Sequence, residues 1–109
     1  MKNNTQEDYV TFEIVKLLKE KGFDTQTNQC HLTKNNEGNY FAPTTALVIK
    51  WLRENFNWNV EIGYRNSFKD YRATIYPIFP NTMMHFVEKA STYEEAESAA
   101  ILYTLKHLI

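Results

Sequence analysis

"WNVEIGYRNSFKDYRATIYPIF", residues 58–79, carries two alternating patterns of apolar and polar side chains. Over 58–65, Trp58, Val60, Ile62 and Tyr64 alternate with Asn59, Glu61, Gly63 and Arg65. A period of two marks a strand with one face buried. Over 71–79, Tyr71, Ala73, Ile75, Pro77 and Phe79 fall on one face, and Arg72, Thr74, Tyr76 and Ile78 on the other. Pro77 has no N–H for a ladder bond, so this strand is an edge there, is bulged, or ends early. "PNT" at 80–82 reads as a tight turn into a third strand, "MMHFVE", 83–88. The spacing suits a three-stranded antiparallel meander.

Helices flank these strands. Upstream, "APTTALVIKWLRENF" sets Leu47, Val48, Trp51 and Leu52 on one face, with Lys50, Arg53 and Glu54 turned away. Pro43 suits a first turn, where a missing N–H costs nothing, and Asn55 and Asn57 mark the exit. Further upstream, "QEDYVTFEIVKLLKEK", 6–21, aligns Val10, Ile14, Leu17 and Leu18, with Phe12 and Val15 widening the stripe. Glu7 and Asp8 lie early and Lys16, Lys19 and Lys21 late, as the helix dipole favours. Gly22 is placed as a left-handed C-terminal residue, with Phe23 closing a Schellman-type cap. The polar segment 23–41 has short runs at 26–32 and 39–41 around "KNNEG", which reads as a short irregular hairpin or as an ordered loop.

Downstream, "STYEEAESAAILYTLKHLI", 91–109, has Ser91 or Thr92 as N-cap with Glu94 or Glu95 three residues on, a capping box in either register. Ala96, Ala99, Ala100 and Tyr103 form one stripe, and Ile101, Leu102, Leu105, Leu108 and Ile109 spread over the other side. A helix apolar nearly all round needs cover on more than one side. The sheet supplies one cover, and the first helix or a second subunit the other. The expectation is one α+β domain over 1–109: a helix, a short hairpin or loop, then α–β–β–β–α with a three-stranded antiparallel sheet packed on helices.

Composition narrows the function. The 109 residues are long enough for a core without disulfides or metal, and 15% are aromatic. The formal charge is −1, so there is no basic arm to grip phosphates and nucleic-acid binding is disfavoured. Cys30 is the single cysteine, which fits a reducing compartment. The opening residues lack the apolar core of a signal peptide, and no apolar run spans a membrane. Together these lead to an expectation of a cytoplasmic protein.

The loop "YRNSFKDYR", 64–72, interleaves Arg65, Lys69 and Arg72 with Tyr64, Phe68 and Tyr71. Arg65, Phe68, Lys69 and Arg72 are therefore the candidate nucleic-acid contacts, since cations hold phosphates and rings stack on bases. The competing reading is a hairpin end with rings packed beside two arginines. Tyr76, Ile78, Met84 and Phe86 fall on the outer sheet face, a candidate partner surface if no helix covers it. The N-terminal helix is the rival cover. Leu105, Leu108 and Ile109 extend the candidate interaction surface. Trp51 and Trp58, on apolar stripes, read as core anchors.

No metal or cofactor is expected. Zinc sites need three or four ligands in recognisable close pairs, whereas Cys30 and His31 are adjacent and His85 and His107 lie on separate elements. Cys30 with His85 as base would lack oxyanion donors. Phosphate-loop, dinucleotide and zinc-protease motifs are missing. No catalytic residue is assigned and an enzyme is not expected.

The order α–β–β–β–α over 43–108, with the alanine-rich "EAESAAILYTLKHL", resembles the double-stranded-RNA-binding domain. In that family lysines at the start of the last helix reach across to phosphates; Tyr93, Glu94, Glu95 and Glu97 stand there instead, so the RNA-binding role does not carry over. "APTTALVIKWLRENFNWNVEIGY" with the ending "TYEEAESAAILYTLKHLI" also resembles small proteins of unknown activity from gut Bacteroidetes and their phages or integrated elements. That resemblance, over residues 10–109, implies a mobile-element accessory protein and brings no catalytic residue. The leading expectation is a non-enzymatic protein acting through contact with a protein partner or as a homodimer. A nucleic-acid-binding module using loop 64–72 is the alternative.

Overall fold

The computed structural model describes residues 9–24, 30–35, 38–78 and 83–109. Its elements run α1 (Phe12–Glu20), β1 (His31–Asn35), β2 (Gly38–Ala42), α2 (Thr45–Phe56), β3 (Trp58–Arg65), β4 (Asp70–Pro77), β5 (His85–Ala90) and α3 (Tyr93–Tyr103), which ends in a π-helical turn, Thr104–Leu108. The class is α+β: a three-stranded antiparallel sheet in the order β3-β4-β5 packs on helices, beside the separate hairpin β1-β2. Residues 6–8, 26–29, Phe79 and the turn 80–82 lie outside the described residues.

The first helix is shorter than its apolar periodicity suggests. Val10 is extended, its N–H donating to the Pro43 carbonyl at 3.1 Å, and Tyr9 bridges to Thr44. Thr11 is then the N-cap, its hydroxyl accepting from the Ile14 N–H at 3.4 Å. Val10 is buried all the same, because the strand-like lead-in points it at the same core. The C-terminus closes as expected. Gly22 has φ +98°, its N–H donates to Lys19 O at 3.2 Å, and the Phe23 N–H donates to Leu18 O at 2.9 Å. That pair of bonds is the Schellman pattern, and Phe23 is buried.

Pro43 is not in the first turn of α2. Thr44 takes the N-cap, accepting from the Leu47 N–H at 3.1 Å, and Pro43 precedes it, buried, with its carbonyl serving Val10. Asn57 ends α2 in the left-handed region, φ 62°, which asparagine tolerates better than most residues.

β3 and β4 pair from Trp58↔Pro77 to Arg65↔Asp70. β4 is the central strand, and Pro77 is tolerated because pairing with β5 stops at Ile75↔His85. The irregularity lies at the other end. Tyr71 pairs with Ala90 but Ala73 with Val87, so Glu88 and Lys89 oppose Arg72 alone, a bulge with Lys89 at φ 68°.

α3 divides the interior. Ala96 and Ala100 meet Val60, Ala73, Ile75 and Ala90 on the sheet, and these small side chains let helix and sheet lie close. Ile101 and Leu105 meet Val10, Ile14, Val15 and Leu18 of the α1 segment and Val48 and Leu52 of α2. The second cover that α3 requires is therefore the first helix, and Leu105 belongs to the core, 1% exposed. Ile109 packs on the same cluster and Leu108 on the sheet-side one.

Candidate functional site

Asn59, Glu61, Gly63 and Arg65 of β3, Asp70, Arg72, Thr74 and Tyr76 of β4, and Phe86 of β5 share the outer face, as their pairing register requires. α3 packs on the sheet, whereas the contacts of α1 run mainly to β2 and the π-turn. The N-terminal helix is thus not the cover of this face. Phe86 is 50% exposed, Met84 57% and Ile78 46%. Met84 leads into β5 and Ile78 follows β4, at one end of the sheet. Tyr76 is half-buried and its hydroxyl accepts from Asn59 Nδ2 at 2.6 Å, so it contributes less apolar surface than the alternation implies.

The other end of the sheet gathers the charged residues of loop 64–72. Arg65 makes a bidentate pair with Asp70, Nε to Oδ1 at 2.8 Å and Nη2 to Oδ2 at 2.7 Å. Its Nη1 reaches Glu88 Oε2 at 2.9 Å. Both partners of the first pair are mostly buried, with side chains 17% and 14% exposed. The hydrogen bonds from Arg65 hold the Asp70 carboxyl below its ordinary range, assisted by the Lys89 backbone N–H, and Asp70 in turn pushes the Arg65 guanidinium up. Arg65 also lies over the Phe68 ring at 4.2 Å, and Arg72 over Phe86 at 4.8 Å. Arg72 Nη1 is 3.9 Å from Glu88. Phe68 and Lys69 are exposed at the turn, Lys69 with φ 54°. The four candidate nucleic-acid contacts are therefore brought together, but both guanidinium groups face carboxylates.

A hollow of about 590 Å³ runs beside β3. It is lined by the consecutive residues 60–65 together with Arg72, Thr74 and Tyr93. Successive strand residues point to opposite faces, so a hollow touching all six reaches the edge of the strand, and through Arg72 and Thr74 it extends over the outer face of β4. Tyr64, Tyr71 and Tyr93 line up beside it in edge contacts of 5.1 and 6.2 Å between ring centres. Burial and the nearby Glu97 and Glu94 push the Tyr93 hydroxyl up.

The histidines and Cys30 are dispersed. His85 packs against Trp58 and Tyr103, its Nδ1 3.3 Å from the Tyr103 hydroxyl, and the His107 ring lies 5.0 Å from that of Tyr103. Cys30 packs against the α1–α2 cluster instead, and burial, with Asp24 nearby, pushes its thiol up. Among the described residues no three His, Cys, Asp or Glu side chains are grouped to hold a metal ion, and no helix is long and apolar enough to cross a membrane.

Trp51 and Trp58 are half-buried, Trp51 edge-on to Phe23 and Phe56. Two features escape sequence reasoning. The ring series Trp58–His85–Tyr103–His107 joins residues far apart in the chain, and the hollow beside β3 depends on which strand is left at the edge. An alternating strand looks the same at the centre of a sheet and at its rim.

Compared with family models, with curated proteins and with solved structures, the chain finds no match.

Proposed function

We propose that this chain is a non-enzymatic accessory protein, of the mobile-element kind its sequence resembles, that works by protein–protein contact through the outer face of its sheet. The observation that carries this reading is the exposure of Ile78, Met84 and Phe86 along the outer face, each about half exposed or more, with Arg72 lying over the Phe86 ring. Exposed apolar side chains clustered beside polar ones are what partner surfaces offer. The nucleic-acid reading has less support, because Arg65 and Arg72 are already set against Asp70 and Glu88. A phosphate would have to displace carboxylates already in place. The raised thiol of Cys30 likewise suits a packed side chain better than a nucleophile.

A photo-crosslinking residue at Phe86, compared with one at exposed Glu54 on α2, tests the reading in the cells that express the protein. Titrations with generic DNA and RNA at low and high salt run beside it. The expected result is a discrete protein adduct from position 86 alone and no salt-sensitive nucleic-acid binding. Nucleic-acid affinity that falls steeply with salt, with no adduct from position 86, overturns it in favour of the module built on Arg65, Phe68, Lys69 and Arg72.

A further inference from the structure

The two edges of the three-stranded sheet differ. β5 carries the bulge at Glu88–Lys89, a common way of making an edge unsuitable for pairing. β3 pairs with β4 in unbroken register over all eight of its residues. α2 borders its beginning, where Arg53 Nη1 reaches Asn59 Oδ1 at 3.5 Å. From Val60 to Arg65 the strand is bordered by the open hollow.

The hydrogen-bonding parity of that edge follows from the ladder. One step beyond the strands the Ile78 N–H donates to Asn57 O at 2.8 Å, in the same register as Trp58↔Pro77. Antiparallel pairs alternate between bonded and non-bonded. The odd-numbered residues of β3 therefore bond to β4, and Val60, Ile62 and Tyr64 direct their N–H and C=O groups outward into the hollow.

Gly63 sits in the middle of this edge. A side chain there would meet nothing within 4 Å, and its φ is not left-handed. Nothing inside the fold requires a glycine, although glycine weakens a strand interior and often marks the approach of another backbone. On either side stand Glu61 and Arg65, two residues away in each direction and opposite in charge.

We propose that two copies of this chain pair edge to edge through β3, antiparallel about a two-fold axis at Gly63, to form one continuous six-stranded sheet. The symmetry selects a second copy over an unrelated strand. With the axis at Gly63, Ile62 of each copy lies opposite Tyr64 of the other, and Glu61 lies opposite Arg65, whose guanidinium stays paired with Asp70 and Glu88 of its own copy, so the backbone pairing carries the contact. Both residues of the Ile62–Tyr64 pair carry the outward N–H and C=O groups, so each such pair makes two backbone hydrogen bonds. Gly63 faces its own copy, the one position where any side chain would meet itself. The contact is small, at the low end of interface sizes, so the dimer is a concentration-dependent one. This inference rests on the protein-contact reading but uses a different surface, and the outer face around Phe86 stays free in the dimer.

The test exploits the self-pairing of residue 63. Sedimentation velocity on the full chain, from micromolar to submillimolar concentration, is expected to show a monomer–dimer equilibrium for the natural sequence. Gly63→Lys and Gly63→Glu are each expected to stay monomeric, since each sets two like charges against each other. Their equimolar mixture is expected to recover the dimer as a mixed pair. Circular dichroism should show both variants folded, because position 63 is open in the single chain. A natural sequence that is monomeric throughout, single variants that dimerise as it does, or a mixture that stays monomeric would each overturn the proposal. None of these outcomes bears on the crosslink from position 86, so the two readings fail separately.

Discussion

Asp70 shows how one residue organises a neighbourhood. Its carboxylate accepts two hydrogen bonds from Arg65 and a further one from the Lys89 backbone, tying the β3–β4 turn to the bulge of β5. Its folded-state pKa is depressed, chiefly by the bonds from Arg65, while in the unfolded chain it returns to about 4. Between those two values the unfolded state binds more protons, so stability rises with pH across that window. The contribution is complete above the unfolded value and is lost as pH falls through the folded one. Thermal melts at a series of pH values should therefore show Asp70→Asn less stable than the natural protein at neutral pH. The difference should shrink as the solution is acidified below about pH 4. A constant difference at every pH would remove Asp70 from this role. The charge pattern Arg65, Lys69, Asp70, Arg72 is legible in the sequence, and so is Asp70 as its single acid. What the sequence does not reveal is the part played by Glu88, which reaches Arg65 and Arg72 only because β5 folds alongside β4.

At the scale of elements, α3 and its π-turn carry the clearest consequence. An α-helix advances about 100° per residue, so a regular continuation sets Leu108 about 80° round from Ala100. The i→i+5 turn rotates less per residue, which brings Leu108 back toward Ala100 and the sheet-side cluster. Buried Thr104 satisfies its hydroxyl by donating to Ala100 O at 2.8 Å. Leu105 is left facing α1, with Lys106 and Glu13 paired above it at 3.3 Å. Leu105→Ala should cost about 2–5 kcal/mol in denaturant unfolding, the range for leucine cavities in a packed core. Removing residues 105–109 should cost more, and neither change should alter the dimerisation expected of the β3 edge. A change in mass for Leu105→Ala at unchanged stability would place that side chain at a subunit contact after all. The acidic first turn needs no partner, for Thr92 caps it by accepting from the Glu95 N–H at 3.0 Å.

For the molecule as a whole, the interior is two clusters joined by α3 and by Ile49, which packs against both. Trp51 belongs to the α1–α2 cluster and Trp58 to the sheet-side cluster. Trp51→Phe and Trp58→Phe therefore leave single reporters of opposite halves. Their urea unfolding curves should coincide, as expected of one cooperative unit. Midpoints separated beyond the shift caused by the substitutions themselves would mean that the halves unfold independently.

Features that depend on neighbours along the chain were legible from the residues alone. The period of two over 58–65 set that strand, Gly22 closed the first helix, the capping box at Ser91 or Thr92 opened the last, and Asn57 marked the exit of α2; the caps at Thr11 and Thr44 emerged only in the fold. The legible signals are local, set by backbone geometry and by the spacing of apolar side chains. Tertiary structure decided the rest. It turned Val10 from a helical residue into an extended one bonded to Pro43, and made β4 the central strand despite Pro77. It moved Leu105 from a candidate surface into the core and left β3, not β5, with a regular edge that is unpaired among the described residues. Each outcome depends on which distant backbone supplies a hydrogen-bond partner or which distant side chain covers an apolar face, and a one-dimensional pattern does not encode that choice.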